Sequence, residues 1–237
     1  MNDVAQIGLE PVTRETLNDR VYAELKKAII AGRFEPGAVM SIRSLSEALG
    51  TSAMPVRDAV RRLATEQALE MLPNRSLKLP RMTAERFEQI RQVRVILEGF
   101  AMEEMARRAD SATIAELDAI NQAMRRAGAN PQEFLLENQR FHFTIYRASQ
   151  NRVILPMIES LWMQIGPMLH LVINELGIKA STKWHNEIVV ALGAGDPHAA
   201  RTALESDIND AAALILEYIR AIANPEDSRR SIRRGNS

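Results

Sequence analysis

Short helical patterns separated by turn signals run from residue 14 to residue 80. The first helix is predicted from Leu17 to Ala31, because apolar residues recur there at the spacing of one helical face. These apolar residues are Val21, Leu25, Ala28 and Ile29. Gly32 closes the helix as a C-terminal cap, and the Pro36-Gly37 pair marks a turn.

Two further helices are predicted after that turn. Ser41 is placed to cap a short helix that runs to Leu49, and Gly50 breaks it. Ser52 is placed to cap the next helix, whose first turn accepts Pro55 because a missing N–H costs little there. The positions that this helix turns inward are Val56, Ala59, Val60 and Leu63.

A hairpin completes this N-terminal segment. Two extended runs, Leu69–Leu72 and Leu77–Leu79, flank the turn Pro73-Asn74-Arg75-Ser76. Helix, short helix, third helix and hairpin follow one another in the order of a winged helix-turn-helix.

After Pro80 the hydrophobic spacing is helical as far as residue 223. Six helices are predicted, at roughly 84–109, 111–128, 132–149, 151–175, 180–194 and 197–222. Breaks fall at Asn130-Pro131, at Gly177 and between Gly193 and Pro197. Helices joined by short connections favour an antiparallel bundle.

The fold is therefore predicted as mainly α, a winged helix-turn-helix followed by an all-helical antiparallel bundle. The predicted segments are a flexible arm at 1–13, the winged domain at 14–80, the helical domain at 84–223 and a basic flexible tail at 224–237.

Composition narrows the class of protein. An apolar fraction of 46% supports a buried core, and the absence of cysteine excludes disulfides and thiolate metal sites. Residues 1–11 lack the features of a signal peptide, and no apolar run is long enough for a bilayer. We expect a cytoplasmic protein without a membrane partner.

The net charge of zero hides an asymmetry. Residues 14–81 contain 12 Lys/Arg against 8 Asp/Glu, whereas residues 82–224 contain 14 against 18. Only the basic first third is expected to meet a polyanion.

The third helix carries the candidate DNA contacts. Arg57 lies near its start, where a recognition helix reaches base edges, and is the candidate for a bidentate contact with guanine. Arg61, one turn later, can reach a base or a phosphate. The other candidates are Arg43, Thr51 and Ser52 for phosphate and Arg75, at the hairpin tip, for the minor groove. Single exposed arginines are usually only solvated, but their occurrence together on this outline favours DNA binding.

The segment "VYAELKKAIIAGRFEPGAVMSIRSLSEALGTSAMPVRDAVRRLATEQALEMLPNRSLKLP" strongly resembles the N-terminal domain of GntR-family regulators. Three motifs carry the resemblance: I-x-x-G-x-x-x-P-G at 29–37, L-S-E-x-L-G at 45–50 and P-V-R-D-A-V-R-R-L at 55–63. The resemblance implies DNA contacts at Arg43, Ser52, Arg57, Arg61 and near Arg75. Three positions depart from the family: Ala53 replaces a common DNA-contacting Arg, and Ala68 and Ser76 replace common glycines.

Few polar residues occur on the inward stripes of the bundle. They are Arg94, Asn138, His142, His185 (or its neighbour Trp184) and Asp207. Buried polar groups need partners, so we expect these side chains to meet. Two imidazoles, a carboxylate and an amide oxygen are able to hold Zn²⁺, Ni²⁺ or Mn²⁺, with Arg94 neutralising a carboxylate bound to the ion. The alternative is that both histidines are hydrogen-bonded core residues.

Residues 84–223 resemble the FCD effector domain of the FadR subfamily of GntR regulators. "VRVILEGFAMEEMARRA", "ENQRFHFTIYRASQN" and "WHNEIVVALGAGDPHAARTALESDI" carry this resemblance. FCD domains usually have Asp-x3-His, a second His and a third His 22 residues later. The corresponding positions are Asn138, His142, His185 and Asp207, so amide and carboxylate replace carboxylate and imidazole. The swap implies either a retained metal site with altered preference or a site that binds effector directly.

We therefore expect a homodimeric repressor that binds a palindromic operator and senses a small organic acid. The acid would alter the packing of the bundle against the linker near Leu79–Thr83 and so the spacing of the two DNA-binding domains. A hydrolase centred on His142, His185 and Asp207 is the competing class, but no glutamate stands on the same stripes as a general base. A third possibility is a helical scaffold that uses its winged domain only for protein contacts. Such a protein would show no salt-dependent DNA binding.

Overall fold

A computed structural model describes residues 16–73, 76–127, 130–176 and 182–223. The predicted arm, the tail, the break at Gly177 and the hairpin tip at Arg75 lie outside these ranges. The described helices are α1 (Leu17–Ile30), α2 (Ile42–Ala48), α3 (Ala53–Thr65), α4 (Ala84–Ala106), α5 (Ser111–Ala127), α6 (Pro131–Ala148), α7 (Ile154–Leu176), α8 (Thr182–Gly193) and α9 (Pro197–Ala223). The strands are β1 (Val39–Met40), β2 (Glu70–Met71) and β3 (Leu77–Lys78).

The first three helices and the strands form an N-terminal head, residues 16–80. Thr16 begins α1 with a capping box, in which its hydroxyl accepts from the N–H of Asp19 and the Asp19 carboxylate accepts in return. Gly32 follows α1 at φ +65°, a left-handed conformation in which a side chain would be strained. The buried face of α1 packs against α3, so the predicted helices of the head are confirmed.

A small antiparallel sheet lies beside these helices, in the order β1-β3-β2. The β2–β3 hairpin is the predicted one, shortened to two paired residues on each side. The N–H of Leu72 donates to the carbonyl of Ser76 across the turn. The sequence did not predict β1, because two residues are too few for a periodic pattern.

The helical bundle, residues 84–223, contains the six predicted helices with small shifts at their ends. The seventh helix begins at Ile154 instead of residue 151, because the Asn151 side chain accepts from the N–H groups of Val153 and Ile154. Within the bundle α4 packs along α9, and α5 lies against α6 and α8. None of the described helices is long and apolar enough to cross a membrane.

Head and bundle meet where α1 crosses α7. At Gly166 of α7, a Cβ atom would come within 2.4 Å of the Ile30 carbonyl oxygen, so the two backbones are in close contact. Lys26 of α1 forms an ion pair of 2.5 Å with Glu159 of α7. Arg86 of α4 donates to the side chains of both Gln67 and Gln164, which ties the end of α3 to α7.

Candidate nucleic-acid interface and metal centre

The outer face of α3 presents two unpaired guanidinium groups. Arg57 and Arg61 are exposed, one helical turn apart. Within the described part of the head, the ion pairs of arginine involve Arg43 and Arg62, and none involves Arg57 or Arg61. These two side chains are therefore available to a ligand.

Two other polar residues of α3, Arg62 and Asp58, make contacts within the head. The Arg62 guanidinium lies 3.7 Å from the centroid of the Tyr22 ring and pairs with Glu66. Asp58 accepts from the side-chain amide of Asn18 at 3.0 Å. Both contacts tie α3 to α1.

Ser52 occupies the N-cap of α3 as predicted, but its hydroxyl makes no capping hydrogen bond. Pro55, at the third helical position, has no N–H and so removes one of the two backbone donors that such a hydroxyl usually accepts from. The exposed Ser52 hydroxyl is therefore free for another acceptor or donor.

Arg43 and Thr51 lie in the same region. The Arg43 side chain is 87% exposed and holds only Glu47 of its own helix, whereas Thr51 is half-buried. Arg75 lies outside the described residues.

The turn after α3 contains Ala68, where the family commonly has a glycine. The left-handed residue there is Gln67, with φ 60°, and the N–H of Ala68 donates to the carbonyl of Leu63. The alanine at 68 therefore imposes no backbone strain.

Three helices of the bundle bring His142, His185 and Asp207 together. Nε2 of His142 lies 3.2 Å from Asp207 Oδ2 and 3.3 Å from Nε2 of His185. Nε2 of His185 lies 3.7 Å from Asp207 Oδ1. All three residues are buried, and a ligand atom of each lies within 4.8 Å of the others.

The electrostatics of this cluster fit a cation. Asp207 Oδ1, which faces Nε2 of His185 at 3.7 Å, is buried and has no hydrogen-bond partner among the described residues. Burial lowers the pKa of His142, against the opposing effect of Asp207, so its imidazole is neutral at pH 7. Although burial alone would raise the pKa of Asp207, the facing His185 and His142 hold it below its usual value. A carboxylate and two imidazoles are a donor set that Zn²⁺, Ni²⁺ and Mn²⁺ accept.

A cavity of about 50 Å³ adjoins the cluster. Its wall includes Arg94, Asn138, His142 and Asp207, the polar side chains expected from the inward stripes. Of the two adjacent candidates, His185 and Trp184, the histidine is the buried one. Its neighbour Trp184 lines the cavity and donates from Nε1 to Asp210 at 2.6 Å.

The sequence interpretation missed Glu98, which is fully buried at the centre of the polar network. Nε and Nη2 of Arg94 donate to its two oxygens at 2.7 and 3.1 Å, and Nε1 of Trp162 donates at 3.1 Å. The Tyr146 hydroxyl makes a short hydrogen bond to Glu98 and lies 3.1 Å from Nδ1 of His142.

The expectation that no glutamate shares these stripes is therefore wrong. Arg94 and Glu98 are four residues apart on one buried face, and Tyr146 is four residues after His142, so the same periodicity could have revealed both. Two N–H donors of Arg94 are already bonded to Glu98 and are not free for a ligand. Burial of Tyr146 and the nearby Glu98 raise the pKa of its phenol well above the usual value, so the hydroxyl keeps its proton.

Comparisons with known proteins match both parts of the chain. Residues 17–79 match the family described as bacterial regulatory proteins, gntR family, and residues 89–210 match the FCD domain. The chain is 27% identical over 202 residues to the HTH-type transcriptional regulator McbR of Escherichia coli, covering 83% of this chain and 91% of that protein. It is 27% identical over 195 residues to the probable D-xylose utilization operon transcriptional repressor of Paenarthrobacter nicotinovorans, covering 81% and 86%.

The solved structure of E. coli McbR/YncC has the same fold. The TM-score is 0.81 at 26% identity, covering 86% of this chain and 99% of that one. A second structure, a GntR regulator from Rhodococcus sp. RHA1, gives a TM-score of 0.70 at 24% identity over 84% of this chain and 97% of that one. These relatives are transcription regulators and not enzymes, which confirms the sequence interpretation and removes the hydrolase alternative.

Proposed function

The chain belongs to the GntR family of bacterial regulatory proteins and carries an FCD domain, and from this premise we propose that it is a homodimeric, cytoplasmic repressor controlled by a small carboxylate. The head binds operator DNA, and the acid enters the bundle at a divalent ion held near His142. One observation carries the proposal: unpaired arginines face outward from α3 while His142, His185 and Asp207 converge inside the bundle of the same chain.

The DNA interface rests on Arg57 and Arg61. Arg57 lies near the start of α3, where a recognition helix meets base edges, and is assigned the guanine contact. Arg61 follows one turn later, on a base or a phosphate. The further assignments are Arg43, Thr51 and Ser52 to phosphate and Arg75 to the minor groove.

A homodimer is supported by an exposed apolar face beside α4. Val93, Ile96 and Phe100 are 43%, 63% and 42% exposed on one side of that helix. Met157 of α7, which is 49% exposed, lines one groove with Val93 and extends the apolar exposure. An apolar patch of this kind is typical of a protein–protein interface, and a second copy would give the two-fold symmetry of a palindromic operator.

The metal site is assigned to His142, His185 and Asp207, with Asn138 as the fourth ligand from the cavity wall. A bound divalent ion would supply the positive charge that receives a carboxylate. Counted formally, with the histidines as neutral ligands, the side chains of the site carry −1, because Arg94 and Glu98 cancel and Asp207 is left. With a divalent ion the formal charge becomes +1, which favours an acid with one negative charge, and Arg94 flanks that acid in the cavity.

Repression, as opposed to activation, is supported by relatives. The P. nicotinovorans protein and the gluconate operon regulators of Bacillus licheniformis and Bacillus subtilis are named as repressors. On this proposal, binding of the acid changes the contact between bundle and head, and the operator is released.

The test is a mobility shift on DNA upstream of the chain's own gene, with a panel of monocarboxylic acids and with Zn²⁺, Ni²⁺, Mn²⁺ or a chelator. We expect specific binding, its weakening by one class of acid, and loss of that response in the chelator. Combining His142→Ala with His185→Ala should abolish the response and spare DNA binding. A response that survives both the chelator and this double variant would contradict the assigned site.

The recognition helix is tested in the same assay. Replacing Arg57 with alanine should cost about 1–3 kcal/mol of specific binding, because a bidentate base contact is lost. Arg126→Ala is the matched control, since it removes an exposed arginine from α5, away from the head. Equal weakening by both variants would mean that only overall charge matters.

A further inference from the structure

We propose that Glu98 and Tyr146 act as a positioning relay that fixes the proton of His142 on Nδ1 and so presents its bare Nε2 to the metal. The inference rests on the metal site of the proposed function and extends it by two residues that do not themselves touch the ion.

The relay begins with Glu98. Its carboxylate is fully buried and receives the Nε and Nη2 donors of Arg94 and the Nε1 donor of Trp162. The guanidinium pairs with both oxygens in a bidentate ion pair, so Glu98 serves this network as a hydrogen-bond acceptor. Towards Tyr146, Glu98 is only an acceptor.

Tyr146 passes this constraint to the imidazole. A phenol has one proton, and its short hydrogen bond to Glu98 uses that proton. The same oxygen lies 3.1 Å from Nδ1 of His142, so in that contact it accepts, and Nδ1 carries the hydrogen. A neutral imidazole has one N–H, and its Nε2 is then a lone pair.

The lone pair points into the cluster. Nε2 lies 3.2 Å from Asp207 Oδ2, so two acceptors face each other across a hydrogen-bond distance. The other tautomer would put a proton on Nε2 and close the site with a His142–Asp207 hydrogen bond. By removing that hydrogen bond the relay leaves the Nε2 lone pair facing Asp207 and, at 3.3 Å, Nε2 of His185, the two groups that would hold the cation with it. Carboxylates behind metal-bound histidines fix ring orientation in the same way.

The first readout is the tautomer itself. Nitrogen-15 NMR of the histidine-labelled full-length chain, kept metal-free in a chelator, should show His142 with hydrogen on Nδ1. In Tyr146→Phe the hydrogen should move to Nε2, where Asp207 accepts it. A wild-type chain with the hydrogen on Nε2 overturns the proposal.

The second readout is zinc affinity, measured by competition with a chromophoric chelator. Tyr146→Phe should weaken binding about 10–100-fold, the usual effect of removing a group behind a metal ligand. Tyr22→Phe is the matched control and should leave affinity unchanged, because that tyrosine also donates to a glutamate, Glu66, but lies in the head. Unchanged affinity in Tyr146→Phe overturns the relay.

The two hypotheses fail separately. A wild-type chain that binds none of the three metals defeats the metal assignment, while the tautomer still decides the relay. If Tyr146→Phe does not fold, as judged by circular dichroism, the wild-type tautomer alone decides.

Discussion

Asn138 and Asp207 are single residues that exchange the chemistry expected at their positions. Relative to the family pattern an amide stands for a carboxylate and a carboxylate for an imidazole, and both side chains line one cavity. Asp207→His should lower zinc affinity at least about tenfold, because the only carboxylate of the cluster is lost. Adding Asn138→Asp should restore it, as measured by competition with a chelator.

A control for this rescue is Asn209→Asp, which adds the same charge to the exposed side of α9. It should not restore the affinity of Asp207→His. If Asn138→Asp also fails to restore it, Asn138 is not a ligand.

The polar side chains that face the inside of the bundle were predictable to the extent that the helical period fixes the direction in which a side chain points. His142, His185 and Asp207 come from three separate helices, yet each stood on an apolar stripe, and a buried polar group has to find a partner. Glu98 was overlooked because Arg94 was assigned to a ligand and not to a residue four positions away. The hydrogen bond from Tyr146 to Glu98 depends on how α6 packs against α4, and the pattern of a single helix gives no information on that packing.

Among the elements, α7 connects the two parts of the molecule. One side of it lines the cavity through Trp162, Ile165 and Leu169, and another lies against α1 at Gly166. Replacing Gly166 with alanine puts a Cβ atom 2.4 Å from the Ile30 carbonyl oxygen, which is backbone and cannot rotate away. We expect a loss of about 1–3 kcal/mol in the free energy of unfolding, the usual effect of overpacking.

Calorimetry with a matched variant tests this contact. Gly193→Ala, at the end of α8, meets nothing within 4 Å and should leave the unfolding temperature nearly unchanged. Equal unfolding temperatures for the two variants would mean that α1 and α7 are not closely packed in solution.

Helices and hairpin were predictable at this scale because period and turn residues are local properties. The crossing of α1 and α7 was not predictable. Gly32 and Gly166 are far apart in sequence, and a glycine within a helix does not indicate which segment packs against it. The strand β1 also escaped, because its pairing with β3 is a contact between distant segments.

At the scale of the whole molecule, the proposed dimer is assigned to the exposed apolar face of α4. Ile96→Glu places a charge in the middle of the apolar face of α4 and should convert a dimer to monomers in analytical ultracentrifugation. Affinity for a full palindrome should fall with it, while affinity for one half-site should not change.

Val190→Glu is the control, because it changes an equally exposed apolar residue, 59% accessible, on α8. A chain that stays dimeric with Ile96→Glu has its interface elsewhere.

The order of domains was predictable from the change of hydrophobic spacing after Pro80. The symmetry axis of a dimer was not, because it depends on a surface match between copies that one sequence does not describe.

The near-complete enclosure of the histidine pair has a kinetic consequence. With side-chain exposures of 3% and 0%, these imidazoles meet the solvent only when neighbouring helices part for a moment. An ion seated between them would leave slowly, on the timescale of such openings, and would persist through many cycles of operator occupancy. On the proposed function, occupancy of the metal site would then follow the cell's metal supply slowly, whereas binding of the acid would change quickly.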